Sequence, residues 1–171
     1  CVTGLVVQDT GSYWSVAGQT IILMLIQIGG LGVVTVAASV SLLSGKKISL
    51  MQRSTMQDAI SAPKVGGIVR LTRFILKGTF LIEAAGALFL LPVFLPDYGG
   101  RGIWLSVFPS ISAFCNAGFD ILGTAANPFP SLTGYSANAL VNVVIMLLII
   151  IGGIGFFTWG DFYTNKLNFK R

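Results

Sequence analysis

Histidine is missing from all 171 residues. With it go the commonest metal ligand and the commonest general base, so neither a histidine-based active site nor a histidine metal cage can be built. Cysteine is nearly missing too, because Cys1 and Cys115 are too few for a disulfide framework or a four-cysteine zinc site. Charge is the third shortage. Only 10% of residues are charged and six of them are acidic, whereas a soluble globular domain is about a quarter charged. What fills the space is apolar, with 54% hydrophobic residues and a mean hydropathy of +0.83. That composition predicts a membrane protein.

The uncharged stretch 10–45 is far longer than the roughly 20 apolar residues that cross a hydrocarbon core. Three spanning helices are predicted, over 16–43, 68–95 and 137–159. Between the second and third lies GIWLSVFPSISAF at 102–114, apolar but about half a bilayer long as a helix, which fits a re-entrant segment. The first residue is Cys and no basic stretch with a short apolar segment precedes the opening motif, so a piece of a longer protein is expected.

The chain repeats itself. CVTGLVVQDT at 1–10 is echoed by CNAGFDILGT at 115–124, which shares the cysteine, the fourth-place glycine and the final threonine. IILMLIQIGGLGVVT at 21–35 aligns without a gap on VIMLLIIIGGIGFFT at 144–158, so that Gly29, Gly30, Gly32 and Thr35 match Gly152, Gly153, Gly155 and Thr158. One unit therefore reads helix, re-entrant helix, glycine loop, helix, and the first unit starts at its loop. The predicted divisions are a filter loop and closing helix at 1–45, a connector at 46–67, and a second repeat at 68–171. Within that repeat the loop is 115–119 and the outer connector 120–136.

The net charge of +5 invites a nucleic-acid reading, but its distribution argues for a membrane orientation. Lys46, Lys47, Arg53, Lys64, Arg70, Arg73 and Lys77 cluster around the first connector, and Lys166, Lys170 and Arg171 follow the last span. These ten of eleven basic residues are predicted cytoplasmic, which leaves Arg101 outside with Asp9, Asp97 and Asp120, and no nucleic acid as partner. In the connector, Ser49 with Gln52 is a capping-box signature for a short helix, either lying against the spans or docking a cytoplasmic partner.

A loop that carries backbone into the membrane must be buried in protein or face water or an ion. A ring of carbonyls can replace the water of a dehydrated K+, and aiming successive carbonyls at one axis demands positive φ, which glycine supplies. Gly4 and Gly118 sit where that demand falls. Val2, Thr3, Asn116 and Ala117 before them are uncharged, and no carboxylate lies within either tetrad. Asp120 and Asp9, further along each loop, either concentrate cations at an outer mouth or cap local turns.

Taken together, VTGLVVQDTGSYWSVAGQT, LIQIGGLGVVT, GKKISL, SAFCNAGFD, SLTGY and LLIIIGGIGF resemble the Trk/Ktr/HKT superfamily of potassium transporters, most closely the membrane subunit of bacterial Ktr-type systems. The resemblance implies an all-α polytopic membrane fold of potassium-channel-type pore modules. Four such repeats would surround one pore, and this chain supplies two. It also implies K+ as transported ion with no covalent cofactor, and no enzymatic activity. The implied setting is the bacterial inner membrane with its lipid, with a second copy of the subunit and a cytoplasmic nucleotide-binding regulator as partners. The filter carbonyls would come from Val2, Thr3, Gly4, Asn116, Ala117 and Gly118. Gly4, where plant relatives associated with sodium carry serine, favours potassium. Pro109 departs from the family pattern and predicts an ordered pore helix that begins near Phe108.

Other residues have plainer readings. Cys1 and Cys115 are expected to pack behind the filter, since a bridge across the conduction axis would block it. GGLG and GGIG are read as close helix-packing surfaces. Glu83, the only acidic residue within a predicted span, is read as a structural anchor behind the filter with Asn142 as candidate partner. Lys77 and Arg73 are expected to snorkel to the inner interface. A structural subunit, a sodium-permeable relative and a secondary transporter with discontinuous helices stay open as alternatives; inverted repeats, expected of the last, are not what this chain has.

Overall fold

The computed structural model describes residues 3–32, 68–155, 158 and 159. The chain divides into two compact units, Cys1–Gly30 with Leu81–Gly153, and Leu31–Phe80 with Ile154–Arg171. The described residues are helical and contain no strand. Four α-helices are present among them: α1 (Val16–Leu31), α2 (Ile68–Tyr98), α3 (Arg101–Phe114) and α4 (Ala139–Gly153), with a 3-10 turn at Thr133–Tyr135.

Helix α2 is the long one. Its segment Thr72–Tyr98 is the one helix among the described residues long and apolar enough to cross a membrane, with 27 residues and a mean hydropathy of 1.9. It passes through Pro92 and Pro96 and stops at Gly99, whose φ of 56° is a left-handed helix terminator. Gly102 then lets the chain fold back at once, because a Cβ there would strike the carbonyl of Phe94.

Helices α1 and α4, with 16 and 15 residues, are shorter than the spans predicted over 16–43 and 137–159. The cause is the same in both. Gly32 has φ 81° and Gly155 φ 90°, so equivalent glycines of the two repeated motifs take the left-handed conformation that ends a helix. Residues 158 and 159 are helical again, while 33–43 lie outside the described residues. The connector 46–67 and the basic tail lie outside them as well.

Helix α3 runs unbroken from Arg101 to Phe114, through Pro109. The expected start near Phe108 is therefore corrected, and packing explains why. Leu105, Ser106, Phe108, Pro109 and Ser110 are all buried, so tertiary contacts outweigh the hydrogen bond that proline cannot donate. Within the first unit α3 packs on α4. Phe94, Phe108, Leu90, Leu105, Ile121 and Val141 fill its centre, and large apolar side chains such as Met24, Leu25, Phe89, Met146 and Ile150 stay exposed on the helices. That apolar exterior suits a lipid environment. In the second unit Thr72, Ile75 and Thr79 form a buried face of α2, and the Trp159 ring lies against Gly78.

Candidate functional site

The two glycine loops meet. Gly4 has φ 68° and Gly118 φ 73°, the matched left-handed conformation at equivalent repeat positions. A Cβ built on Gly4 would lie 2.6 Å from the carbonyl oxygen of Ala117 and 3.2 Å from the Cα of Gly118, while one on Gly118 would lie 3.7 Å from the Cα of Gly4. Asn116 is also left-handed, at φ 54°, a conformation that asparagine tolerates better than most residues. Of the sequence-predicted residues, Thr3, Gly4, Asn116, Ala117 and Gly118 fall within these loops; Val2 lies outside the described residues.

The second loop is held in shape by the helix that precedes it. Ala117 N–H donates to the Ser112 carbonyl at 2.8 Å, and Asn116 N–H to that of Ala113 at 3.0 Å. The Ser112 hydroxyl both donates to the Phe119 carbonyl at 2.7 Å and accepts from the Phe119 N–H at 2.9 Å, closing the backbone just beyond Gly118. Among the described residues no donor is paired with the carbonyl oxygens of Asn116, Ala117 or Gly118. Carbonyl oxygens without a donor can replace the water of a cation without adding formal charge.

The GGxG glycines bring the closing helices onto this loop from two sides. At Gly30 of α1 a Cβ would run into the Sγ of Cys115, and at Gly152 of α4 it would run into the carbonyl oxygen of Phe114. The last residue of α3 and the first of the loop are thus gripped between glycines of two repeats. Gly86 of α2 plays the same part higher up, where a Cβ would strike the Ser110 Oγ. Cys115 itself is buried and unbridged.

Outer contacts tie the first loop to the second repeat. Asp9, 5% exposed, accepts from the Ser12 N–H and hydroxyl at 2.7 Å each and from the Phe129 N–H at 3.0 Å, and its carboxylate lies on the Cα face of Gly123. Burial by itself would raise its pKa, but the Ser12 hydroxyl and the N–H groups of Phe129, Ser12 and Gly11 hold it below the usual carboxylate range. Of its two sequence readings, turn capping is the one this geometry favours. Asp120 is half-buried and accepts from the Leu122 N–H at 3.0 Å. Burial, with a smaller push from the Asp9 charge, lifts its pKa against that hydrogen bond. It lines a cavity of about 330 Å³ with Pro109, Ser112, Asn116, Gly118 and Ser131.

Glu83 is 4% exposed, and its partner is not Asn142. Gln27 Nε2 of α1 donates to both carboxylate oxygens, at 2.9 and 3.0 Å. The expected pairing fails on height. Asn142 stands in the first turn of α4 and donates to the carbonyls of Ser136 and Asn138 at 2.8 and 2.9 Å, whereas Glu83 lies 15 residues, roughly 22 Å of helix, before the end of α2. Gln19, the repeat equivalent of Asn142, has the same task in the first unit. Its Nε2 donates to the carbonyls of Thr10, Gly11 and Trp14 at 3.1–3.3 Å, and its Oε1 accepts from the Trp104 indole at 2.8 Å. Sequence reasoning missed Gln19, Gln27 and Ser112. For Gln27 a signal existed, since its repeat equivalent is the apolar Ile150 and a lone polar residue in a span needs a partner.

Comparison with known proteins places the chain in a family. The family model for TrkH, described as a cation transport protein, matches residues 1–170. The chain is 40% identical over 162 residues to the potassium/sodium uptake protein NtpJ of Enterococcus hirae, covering 94% of this chain and 35% of that protein. It is 42% identical over 166 residues to the Ktr system potassium uptake protein B of Bacillus subtilis, covering 96% and 36%, and 34% identical over 165 residues to the protein of that name from Vibrio alginolyticus, covering 96% and 35%. The chain spans about a third of the length of these curated relatives. With paired glycine loops in an all-α, apolar frame and a family match over nearly its whole length, the chain belongs to the TrkH family of cation transport proteins.

Proposed function

We propose that this membrane chain forms half of a potassium uptake pore, in which K+ sheds its water onto backbone carbonyls of Val2, Thr3 and Gly4 from one repeat and Asn116, Ala117 and Gly118 from the next. The observation that carries the reading is the contact between Gly4 and Gly118, equivalent residues in the same left-handed conformation. Two loops related in this way are two sides of a ring, and relatives about three times as long leave room for the other two. Each repeat is a helix, a re-entrant pore helix, a filter loop and a closing helix, divided at 1–45, 46–67 and 68–171.

In this reading the loops face the outside of a bacterial inner membrane and the connector and tail face the cytoplasm. Asp120 stands near the outer mouth and Glu83 anchors the frame behind the filter. The complete subunit pairs with a second copy, contacts lipid, and binds a cytoplasmic nucleotide-binding regulator, in keeping with relatives named as components of a Ktr system. The family is one of cation transporters rather than of enzymes. The name of NtpJ, a potassium/sodium uptake protein, favours a second reading in which Na+ also passes.

The test is Gly118→Ser in the full-length protein. A side chain at φ 73° strains the loop, and the discrimination of Rb+ over Na+ should fall by about tenfold, a change equivalent to the strain of one left-handed non-glycine residue. Unchanged selectivity in a rubidium and sodium uptake assay would sink the filter assignment, and a wild-type protein that admits both ions equally would establish the sodium reading.

A further inference from the structure

Behind the second loop, three residues from three elements are joined in a row. Cys115, the first residue of the loop, has its Sγ 3.9 Å from Gln27 Oε1, a thiol-to-amide hydrogen bond. Gln27 in turn donates through Nε2 to both oxygens of Glu83 on α2. Glu83 also serves through its backbone, since its carbonyl accepts from the Ser110 hydroxyl on α3 at 2.7 Å. The single amide of Gln27 thus bridges α1 of the first repeat to both the loop and α2 of the second. Glu83 and Cys115 are buried, at 4% and 7% exposed, and Gln27 between them is half-buried.

The alternatives nearby are ruled out by what surrounds them. Asn142 is engaged at the outer end of α4, and Gly30, one turn from Gln27, is packed on the Sγ of Cys115. That close approach fixes the distance over which the amide must reach. Position 150, the counterpart of Gln27 in the second repeat, is isoleucine and 56% exposed, so the amide bridge does not follow the repeat symmetry. A polar bridge that departs from that symmetry makes the two loops inequivalent.

We propose that Gln27 is a positioning residue for ion discrimination: held by Glu83, it sets where Cys115, and with it the carbonyls of Asn116 to Gly118, stand relative to the first loop. The inference rests on the filter reading above. Three variants of the full-length protein test it, each measured for the Rb+ to Na+ uptake ratio and the apparent KM for Rb+, per amount of protein in the membrane. Gln27→Leu keeps the volume and removes all three hydrogen bonds. Its Rb+ to Na+ ratio should fall by about tenfold, the effect of one hydrogen bond to a charged group. Gln27→Glu alone sets two carboxylates together and should fall at least as far. The exchange Gln27→Glu with Glu83→Gln restores a donor facing an acceptor, and it should recover discrimination to within about twofold of wild type, which mere loss of packing would not.

Wild-type selectivity and KM in Gln27→Leu would overturn the proposal, as would an exchanged pair that accumulates normally yet stays unselective. Should Gln27→Leu fail to accumulate, the exchanged pair decides alone. Gly118→Ser separates the two levels: if it loses selectivity while Gln27→Leu keeps it, only the positioning role falls, and if Gly118→Ser keeps it, the filter reading falls first.

Discussion

Gly4→Ala in the full-length protein should reduce Rb+ uptake by more than about tenfold, through strain at a left-handed backbone position and a steric clash together. The two causes are separable by position. At Gly4 the new Cβ would stand 2.6 Å from the Ala117 carbonyl oxygen, whereas at Gly118 its nearest neighbour would be 3.7 Å away, an ordinary contact. Gly4→Ala should accordingly be the more damaging of the two alanine variants. Rubidium uptake per amount of membrane protein reads the difference, with Gly100→Ala as control, since Gly100 has φ −57° and nothing within 4 Å of its absent Cβ. Equal effects at Gly4 and Gly118 would show that the clash does not matter and that the loops stand further apart.

Gly152→Ala should have the second large effect, although Gly152 belongs to neither loop. Its Cβ would be driven into the carbonyl oxygen of Phe114, the last residue of α3, and backbone cannot rotate aside as a side chain can. Overpacking of this kind costs about 1–3 kcal/mol where the neighbours give way. Here the neighbour that gives way is the end of α3, so its displacement passes directly to Cys115 and the loop. The expected outcome is about tenfold lower rubidium uptake at normal protein levels, with Gly134→Ala unaffected because nothing lies within 4 Å of that Cβ. Retained uptake in Gly152→Ala would mean that α4 and α3 are not in rigid contact.

Much of the arrangement was legible before any coordinates. The loop glycines were found because positive φ is a demand that few residues meet, and Gly4 and Gly118 both meet it. The short helix predicted over 102–114 is observed over Arg101–Phe114, because Gly99, Gly100 and the loop motif punctuate both of its ends. The close-packing reading of GGLG and GGIG was sound for Gly30 and Gly152 but incomplete, since Gly32 and Gly155 end their helices instead. Apolar runs cannot distinguish these two uses of glycine, because the hydropathy is the same on either side of the break. Pro109 misled for a related reason: propensity is local, and the burial that overrides it is not. The partner of Glu83 was out of reach because Gln27 lies 56 residues earlier, and no pattern along one helix indicates which neighbouring helix faces it.

The first loop is also better anchored than its sequence suggested. Asp9 and Gln19 are held by backbone groups together with the Ser12 hydroxyl and the Trp104 indole, and Asp9 reaches across to Phe129 in the second repeat. These contacts occupy the Asp9 carboxylate in holding the first loop against the second repeat.

The most direct measurement is the position of Rb+ in crystals of the full-length protein, located by its anomalous scattering. The account predicts an ion ringed by backbone oxygens that include those of Gly4 and Gly118. An ion held by the carboxylates of Glu83 or Asp120, with the glycine carbonyls turned away, would contradict it.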